Sequence, residues 1–326
     1  MTTVLAPLRR GIHMWQEVNP RERRRWLTAY AFMSLQLIGL FVFILGPLVV
    51  SLYYTFTRWD LIAPAPKWVG LSNWEHVPGD QRIGQVLGNT VWFILWATSS
   101  FLILSLALAV LLNVPRRGTT LFRALFFLPY ITSQVAVGLV WSWMFNTRSG
   151  PIPVFFRHLG IEVPNLLLDE NYAMIAVAIV ATWQALGYGI TIYLAGLQGI
   201  PGELYDAASV DGATGWQRFR YVTLSLLSPT ILFLTVTSFI AAFQLFDLVV
   251  ILTGGATGVQ PGGPGGSTRT IVLYLYEQTF LFSERVSGLG YGATIGWLLA
   301  VLIFIVTMTQ FRFARSTVFY LGDDER

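Results

Sequence analysis

Residues 201–220 read PGELYDAASVDGATGWQRFR and lie between an uncharged run at 171–202 and another at 221–246. Each flanking run exceeds the roughly 20 apolar residues that a helix needs to span a hydrocarbon core. The joining segment is too short and too polar to cross. Its own pattern is two short helices with a break. Pro201 suits a first helical position, and Glu203 complements the positive end of the helix dipole. Gly212 fits a left-handed C-terminal cap. Thr214 and Gln217 stand at capping-box spacing and open a second helix that Trp216 and Phe219 anchor. Asp206 beside small Ala207 and Ala208, followed by Asp211, Gly212 and Ala213, makes a compact knob. Small side chains admit close backbone approach, and the carboxylates can meet a basic partner. An ordinary interhelical connector is the plainer reading of the same residues.

Working outward, four more runs contain no Asp, Glu, Lys or Arg: 26–57, 83–115, 124–147 and 286–311. Lipid cannot satisfy a bare backbone, so helices are expected. The spacing predicts an all-α integral membrane protein with six transmembrane helices. Pro129 is expected to kink the third. A seventh uncharged run, 248–268, holds seven glycines with Pro261 and Pro264 and reads as a flexible loop. Lys and Arg total 14 on one side of the alternating loops and tails and 7 on the other. Both termini are therefore expected in the cytoplasm. The implied organisation is a cytoplasmic tail at 1–26, a first transmembrane helix at 27–57, a core of five helices at 83–315 containing the cytoplasmic loop 201–220, and a cytoplasmic tail at 316–326. The tail to Arg25 is too charged, and the first run too long, for a cleaved signal.

Composition agrees. Of 326 residues, 12% are charged and 54% hydrophobic, with a mean hydropathy of +0.60. Soluble proteins carry about 25% charge, so a soluble enzyme or a nucleic-acid module is excluded for the chain as a whole. There is no cysteine, and the three histidines are scattered, so neither thiol chemistry nor a metal centre is expected. No GxxxxGK[ST] occurs; any ATP-driven step needs another subunit.

The stretch YDAASVDGATGWQRF resembles the EAA loop in membrane subunits of bacterial ABC importers, on Asp206, Ala207, Ala208, Asp211, Gly212, Ala213, Phe219 and Pro229. Asp206 stands where the family usually has Glu. Ser225 stands where a first proline often lies, so a straighter entry to the fifth span is expected. Asn89-Thr90 and the segments 122–145, 243–255 and 262–280 are similar to the carbohydrate-uptake group, and the likeness covers roughly 85–315. The resemblance implies the ABC importer type I permease fold of a maltose-type or glycerol-phosphate-type subunit in the bacterial inner membrane. It implies that Asp206–Ala208, Asp211–Ala213 and Phe219 form an ATPase-coupling element. The implied partners are a second permease subunit, two ABC ATPase subunits that carry ATP and Mg, and an extracytoplasmic solute-binding protein. No cofactor is expected in this chain.

For the solute path, Gln184, Tyr188 and Thr191 recur at helical spacing on one face of the fourth span. Thr237, Gln244 and Asp247 are expected to share a face of the fifth, with small Ala241 between them. Ser133 and Gln134 in the third span are weaker candidates. Amides and rings suit a polyhydroxyl solute; the alternative is hydrogen bonding between neighbouring helices. Asp247 lies about 31 Å along its span at 1.5 Å per residue, near the outer boundary. The absence of Lys and Arg from the spans favours a neutral di- or oligosaccharide over a glycerol phosphate. An ion-coupled secondary transporter would want buried charges in its spans, and only Asp247, at an edge, offers one.

Overall fold

The computed structural model describes residues 20–60, 63–114, 117–255, 261–281 and 288–314. The tails expected at 1–26 and 316–326 lie outside the described residues, apart from 20–26, as do residues 256–260 of the glycine-rich run.

Helix α1 (Pro20–Leu40) passes through a π-helical turn, Phe41–Leu45, into α2 (Gly46–Tyr54). Together they form one 34-residue rod, Arg21–Tyr54, whose most apolar window buries nothing inside the chain. Phe32, Leu35 and Phe43 are 78, 77 and 77% exposed. The rod starts earlier than the uncharged run because the arginines at 21 and 23–25 are good helix formers. A two-residue hairpin follows, β1 (Thr57–Arg58) antiparallel to β2 (Lys67–Trp68), with Thr57 opposite Trp68. Asn73, in α3 (Ser72–His76), ties it down by donating to the Thr55 and Thr57 carbonyls, each at 2.8 Å.

Four elements cross as candidate spans without interruption: the α1–α2 rod, α4 (Gln81–Leu112), α8 (Ala173–Gln198) and α15 (Leu289–Ala314). The third apolar run is instead a broken pair, α5 (Thr119–Ile131) and α6 (Gln134–Met144), bent by 101°. The break is not at Pro129, as expected, but after it, where Thr132 and Ser133 turn extended. The fifth run is also bent, by 64°, between Gly215–Leu226 and α12 (Ser228–Phe243). That corrects the straighter entry expected from Ser225. Pro229 has no N–H for the Ser225 carbonyl. The Ser228 hydroxyl donates to that carbonyl instead, at 2.6 Å.

The segment 248–268 is not simply a loop. After α12 the chain turns back into the protein as α13 (Asp247–Val249) and a π-helical stretch, Val250–Gly255. Leu248, Val249 and Leu252 are buried to within 1%. They pack on α6, where a Cβ on Gly138 would come within 2.8 Å of Ile251. The glycines and prolines of the second half had masked the apolar first half. The later glycines are pinned to α4: Gln85 donates to the Gly265 carbonyl and Asn89 to the Gly266 carbonyl, both at 2.8 Å. Thr90 Oγ1 accepts from Ile271 N–H at 3.1 Å, fixing the start of α14 (Ile271–Tyr276). An ion pair between half-buried Arg269 and buried Glu277, at 2.8 Å, closes this region.

Helix α8 is the hub, with 56% of its apolar window buried, more than any other span. Three glycines set its distances. A Cβ on Gly187 would lie 2.3 Å from the Phe126 carbonyl oxygen of α5. One on Gly189 would meet Phe101 and Ser105 of α4, and one on Gly196 would meet Leu227 and, in the first turn of α12, Thr230. Small residues allow such backbone approach where lipid supplies no hydrophobic drive between helices.

Asp80 caps α4 through the Arg82 N–H and accepts the hydroxyls of Tyr274, from α14, and Tyr291, from α15. Burial alone would raise its carboxyl. The two tyrosine hydrogen bonds and the capping bond, helped by His76, outweigh burial and hold it below its ordinary value.

Gly187→Ala should destabilise the protein by about 1–3 kcal/mol, since backbone on α5 must move, whereas Gly39→Ala meets nothing within 4 Å and should be neutral; thermal unfolding in detergent separates them. A lowered folded pKa means that Asp80 contributes stability above its unfolded value of 3.8 and loses it as pH falls through the lower folded value. Melting temperature should therefore show an acid arm below about pH 4 that Asp80→Asn removes.

Candidate functional site

Two constructions stand on the hub: a folded-back knob after α8 and, midway along α8, a largely apolar cavity that carries a few polar groups.

The knob is α9 (Gly202–Val210) and α10 (Gly215–Gln217), followed by a π-helical stretch, Arg218–Thr223, and α11 (Leu224–Leu226). Pro201 sits at the cap position just before α9, and Glu203 lies in its first turn. Gly212 has φ +77°. Its N–H donates to the Ser209 carbonyl at 3.1 Å, and Ala213 N–H reaches back to Ala208 at 2.9 Å. This is the Schellman closure. Thr214 and Gln217 form the reciprocal capping box: Gln217 N–H donates to Thr214 Oγ1 at 3.4 Å, and Thr214 N–H to Gln217 Oε1 at 2.7 Å.

The two arms are then tied together. Arg218 donates to the Ser209 hydroxyl at 3.0 Å, Ser209 donates to the Tyr205 carbonyl at 2.7 Å, and the Tyr205 and Thr223 hydroxyls share a 3.0 Å hydrogen bond. Phe219 and Trp216 rings lie 5.5 Å apart. Asp206, Ala207, Asp211 and Gly212 are exposed, while Ala208, Ala213 and Phe219 are half-buried. Val210, Trp216 and Tyr221 are 87, 70 and 70% exposed. The knob thus presents apolar side chains and two carboxylates outward on a backbone that its own hydrogen bonds hold.

The cavity, about 420 Å³, lies among α4, the α5–α6 break, α8 and α12. Gln184 is buried and donates Nε2 to the Thr132 carbonyl at 3.2 Å, at the break itself. Tyr188 stacks on Tyr130, with centroids 5.2 Å apart and planes at 21°. Thr98, Thr237, Ser238 and Gln134 add hydroxyls and an amide, and among the described residues no charged side chain lines the space.

Of the sequence candidates, Gln184 and Tyr188 line the cavity, as do Gln134 and Thr237. Thr191 does not; it is exposed, and its hydroxyl returns to the Gly187 carbonyl at 2.8 Å. Gln244 and Asp247 are also exposed and outside the lining. Their expected shared face does not exist, because α12 ends at Phe243 and the chain turns through Gln244–Phe246 before α13. Sequence reasoning missed Thr98 and Tyr130. Each is a polar residue within an apolar run, a signal available but not distinctive. Among the described residues, no group of three or more acidic or histidine side chains could hold a metal.

Comparison with known proteins places the chain. Residues 93–318 match the model of the binding-protein-dependent transport system inner membrane component family. The lactose transport system permease protein LacF of Rhizobium radiobacter is 35% identical over 89% of this chain and 94% of its own. The sn-glycerol-3-phosphate transport system permease protein UgpA of Agrobacterium fabrum is 32% identical over 89% of this chain and 96% of its own. In fold, the chain superposes with a TM-score of 0.77 on a chain of a bacterial ABC transporter involved in the import of the acidic polysaccharide alginate, at 20% identity, covering 93% of this chain and 99% of that one. This chain belongs to the binding-protein-dependent inner membrane components and is a permease subunit of the ABC importer class.

Gly212→Ala forces a Cβ into the left-handed region and should loosen the knob by about 1–2 kcal/mol, while Gly215→Ala, in helical backbone with open space around it, should not. Limited proteolysis within 201–220 should be faster for the first variant alone.

Proposed function

We propose that this subunit forms half of a pathway that carries a neutral di- or oligosaccharide inward by alternating access, driven by ATP hydrolysis in separate subunits. The observation that carries the reading is the uncharged cavity on the hub, where amides, hydroxyls and a stacked tyrosine pair converge. Rings pack on the apolar faces of sugars, and neutral donors and acceptors match hydroxyls without the desolvation cost of a charge. Relatives named for lactose, arabinooligosaccharides and multiple sugars support the class. A relative named for glycerol phosphate keeps that solute as the second reading, but the cavity offers it no cation. Ion coupling would want a buried carboxylate or cation in the lining, and the described residues supply none there.

The knob is read as the coupling element. Asp206–Ala208, Asp211–Ala213 and Phe219 seat on an ATP-binding subunit at the cytoplasmic face, where ATP and Mg bind. Docking there works by differential contact in two states of the assembly. The α1–α2 rod, whose most apolar window buries nothing within the chain, supports a second permease subunit as its neighbour. A binding protein on the outer face delivers the solute; one similar transporter, 19% identical, is described in complex with its pentasaccharide-bound periplasmic protein.

Proline cannot adopt φ +77°. Gly212→Pro should therefore abolish uptake in vesicles of the assembled importer while membrane insertion stays normal; wild-type transport by that variant would refute coupling. The purified chain alone should hydrolyse no ATP, which a phosphate-release assay checks.

A further inference from the structure

The bend of the fifth span has a gap beside it. A second cavity, about 510 Å³, lies between Arg220, α11 and the first half of α12 on one side and the last turns of α15 on the other. It shares no lining residue with the cavity on α8. Along α12 it runs from Ser228 to Thr235, which is about 10 Å at 1.5 Å per residue and about a third of a hydrocarbon core. Further along, Phe239 of α12 and Ile303 and Val306 of α15 join one apolar cluster, so the gap is confined to the knob end of the two helices.

Its wall is mostly apolar, with Leu224, Ile231, Leu232 and Phe313 supplying the larger side chains. Phe313, at the end of α15, is 76% exposed. The hydroxyls in the wall have already given their protons to their own helices. Ser228 donates to the Ser225 carbonyl at 2.6 Å, Thr235 to the Ile231 carbonyl at 2.7 Å, and Thr309 to the Val306 carbonyl at 2.7 Å. Among the described residues, Arg220 is the one charged side chain in the lining. It is exposed, its guanidinium carbon lies 6.0 Å from the centre of the Tyr221 ring, and it forms no ion pair with a described residue. A polyhydroxyl or nucleotide ligand needs polar partners along its whole length. Here there is a cation at one end and hydrocarbon behind it.

We infer that this gap is a binding site for an anionic phospholipid. The phosphate meets Arg220, whose planar fork suits phosphate oxygens in pairs. An acyl chain lies along Ile231, Leu232 and Phe313. The position selects lipid over other amphiphiles, because the gap stands at the ends of two spans, where the surrounding medium is the bilayer. Basic residues at gaps between membrane helices are suited to phospholipid head groups. The inference does not depend on which solute the importer carries.

The test uses the complete importer in phosphatidylcholine nanodiscs doped with phosphatidylglycerol that carries a photoactivatable group on its acyl chain. After irradiation, adducts are mapped by peptide mass spectrometry. They should concentrate in 224–235 and 309–314. Arg220→Gln should lower their yield about tenfold, as expected for loss of a charged hydrogen bond, and Arg220→Lys should retain part of it. Arg312→Gln, at an exposed arginine outside the lining, should change nothing. Leu232→Trp, which fills the gap and leaves Arg220 in place, should also lower the yield. Equal labelling by a phosphatidylcholine probe overturns recognition of the anion. An equal loss in Arg312→Gln overturns the site in favour of general surface charge. Absence of adducts in the gap of the wild-type assembly overturns it in favour of a neighbouring subunit. Adducts that appear there only after deletion of 316–326 overturn it in favour of the chain's own tail. If the Arg220→Gln complex fails to assemble, Leu232→Trp decides, and wild-type labelling in that variant overturns the site.

Discussion

Close approach at the α8 glycines is the constraint on which the rest depends. Gly187 meets the backbone of α5, while Gly189 and Gly196 take the side chains of α4 and of the start of α12 into space that a Cβ would occupy. Between lipid-embedded helices this contact comes from van der Waals packing, not from expulsion of water. The helix that makes it is therefore the one with least freedom to change. The cavity is a consequence of the same packing. Where α8 carries Gln184 and Tyr188 in place of glycine, the neighbours stand off, and these two side chains line the gap.

Broken helices are the second theme. A kink at membrane depth frees backbone groups that must find partners or water. At Leu227 the Ser228 hydroxyl restores what Pro229 removes. At Thr132–Ser133 the repair is partial: Gln184 satisfies one carbonyl, and the start of α6 is left open. The complete repair lies beside the knob and the incomplete one in the cavity.

The span positions and the knob were legible in the sequence because each rests on local chemistry. Charge-free length marks a span, and Gly212 with Thr214 and Gln217 writes its own turn within a few residues. The breaks were less legible. Thr-Ser-Gln is not a strong helix breaker, and the bend there depends on Gln184, 52 residues away, taking up a carbonyl. The shared face expected of Thr237, Gln244 and Asp247 failed because helical period was extended through a turn that period cannot see. The 248–268 run failed because its glycine content was averaged over a window whose first half is a buried apolar helix. Thr98 and Tyr130 acquire meaning only when three spans meet, and no spacing within one span records that.

The cross-ties of the knob have a mechanical consequence. Tyr205 follows the fourth span and Thr223 begins the fifth, and their shared hydrogen bond, with Arg218 gripping Ser209, closes the two arms into one rigid yoke. Under the coupling role proposed above, a push delivered there turns both arms together instead of bending one.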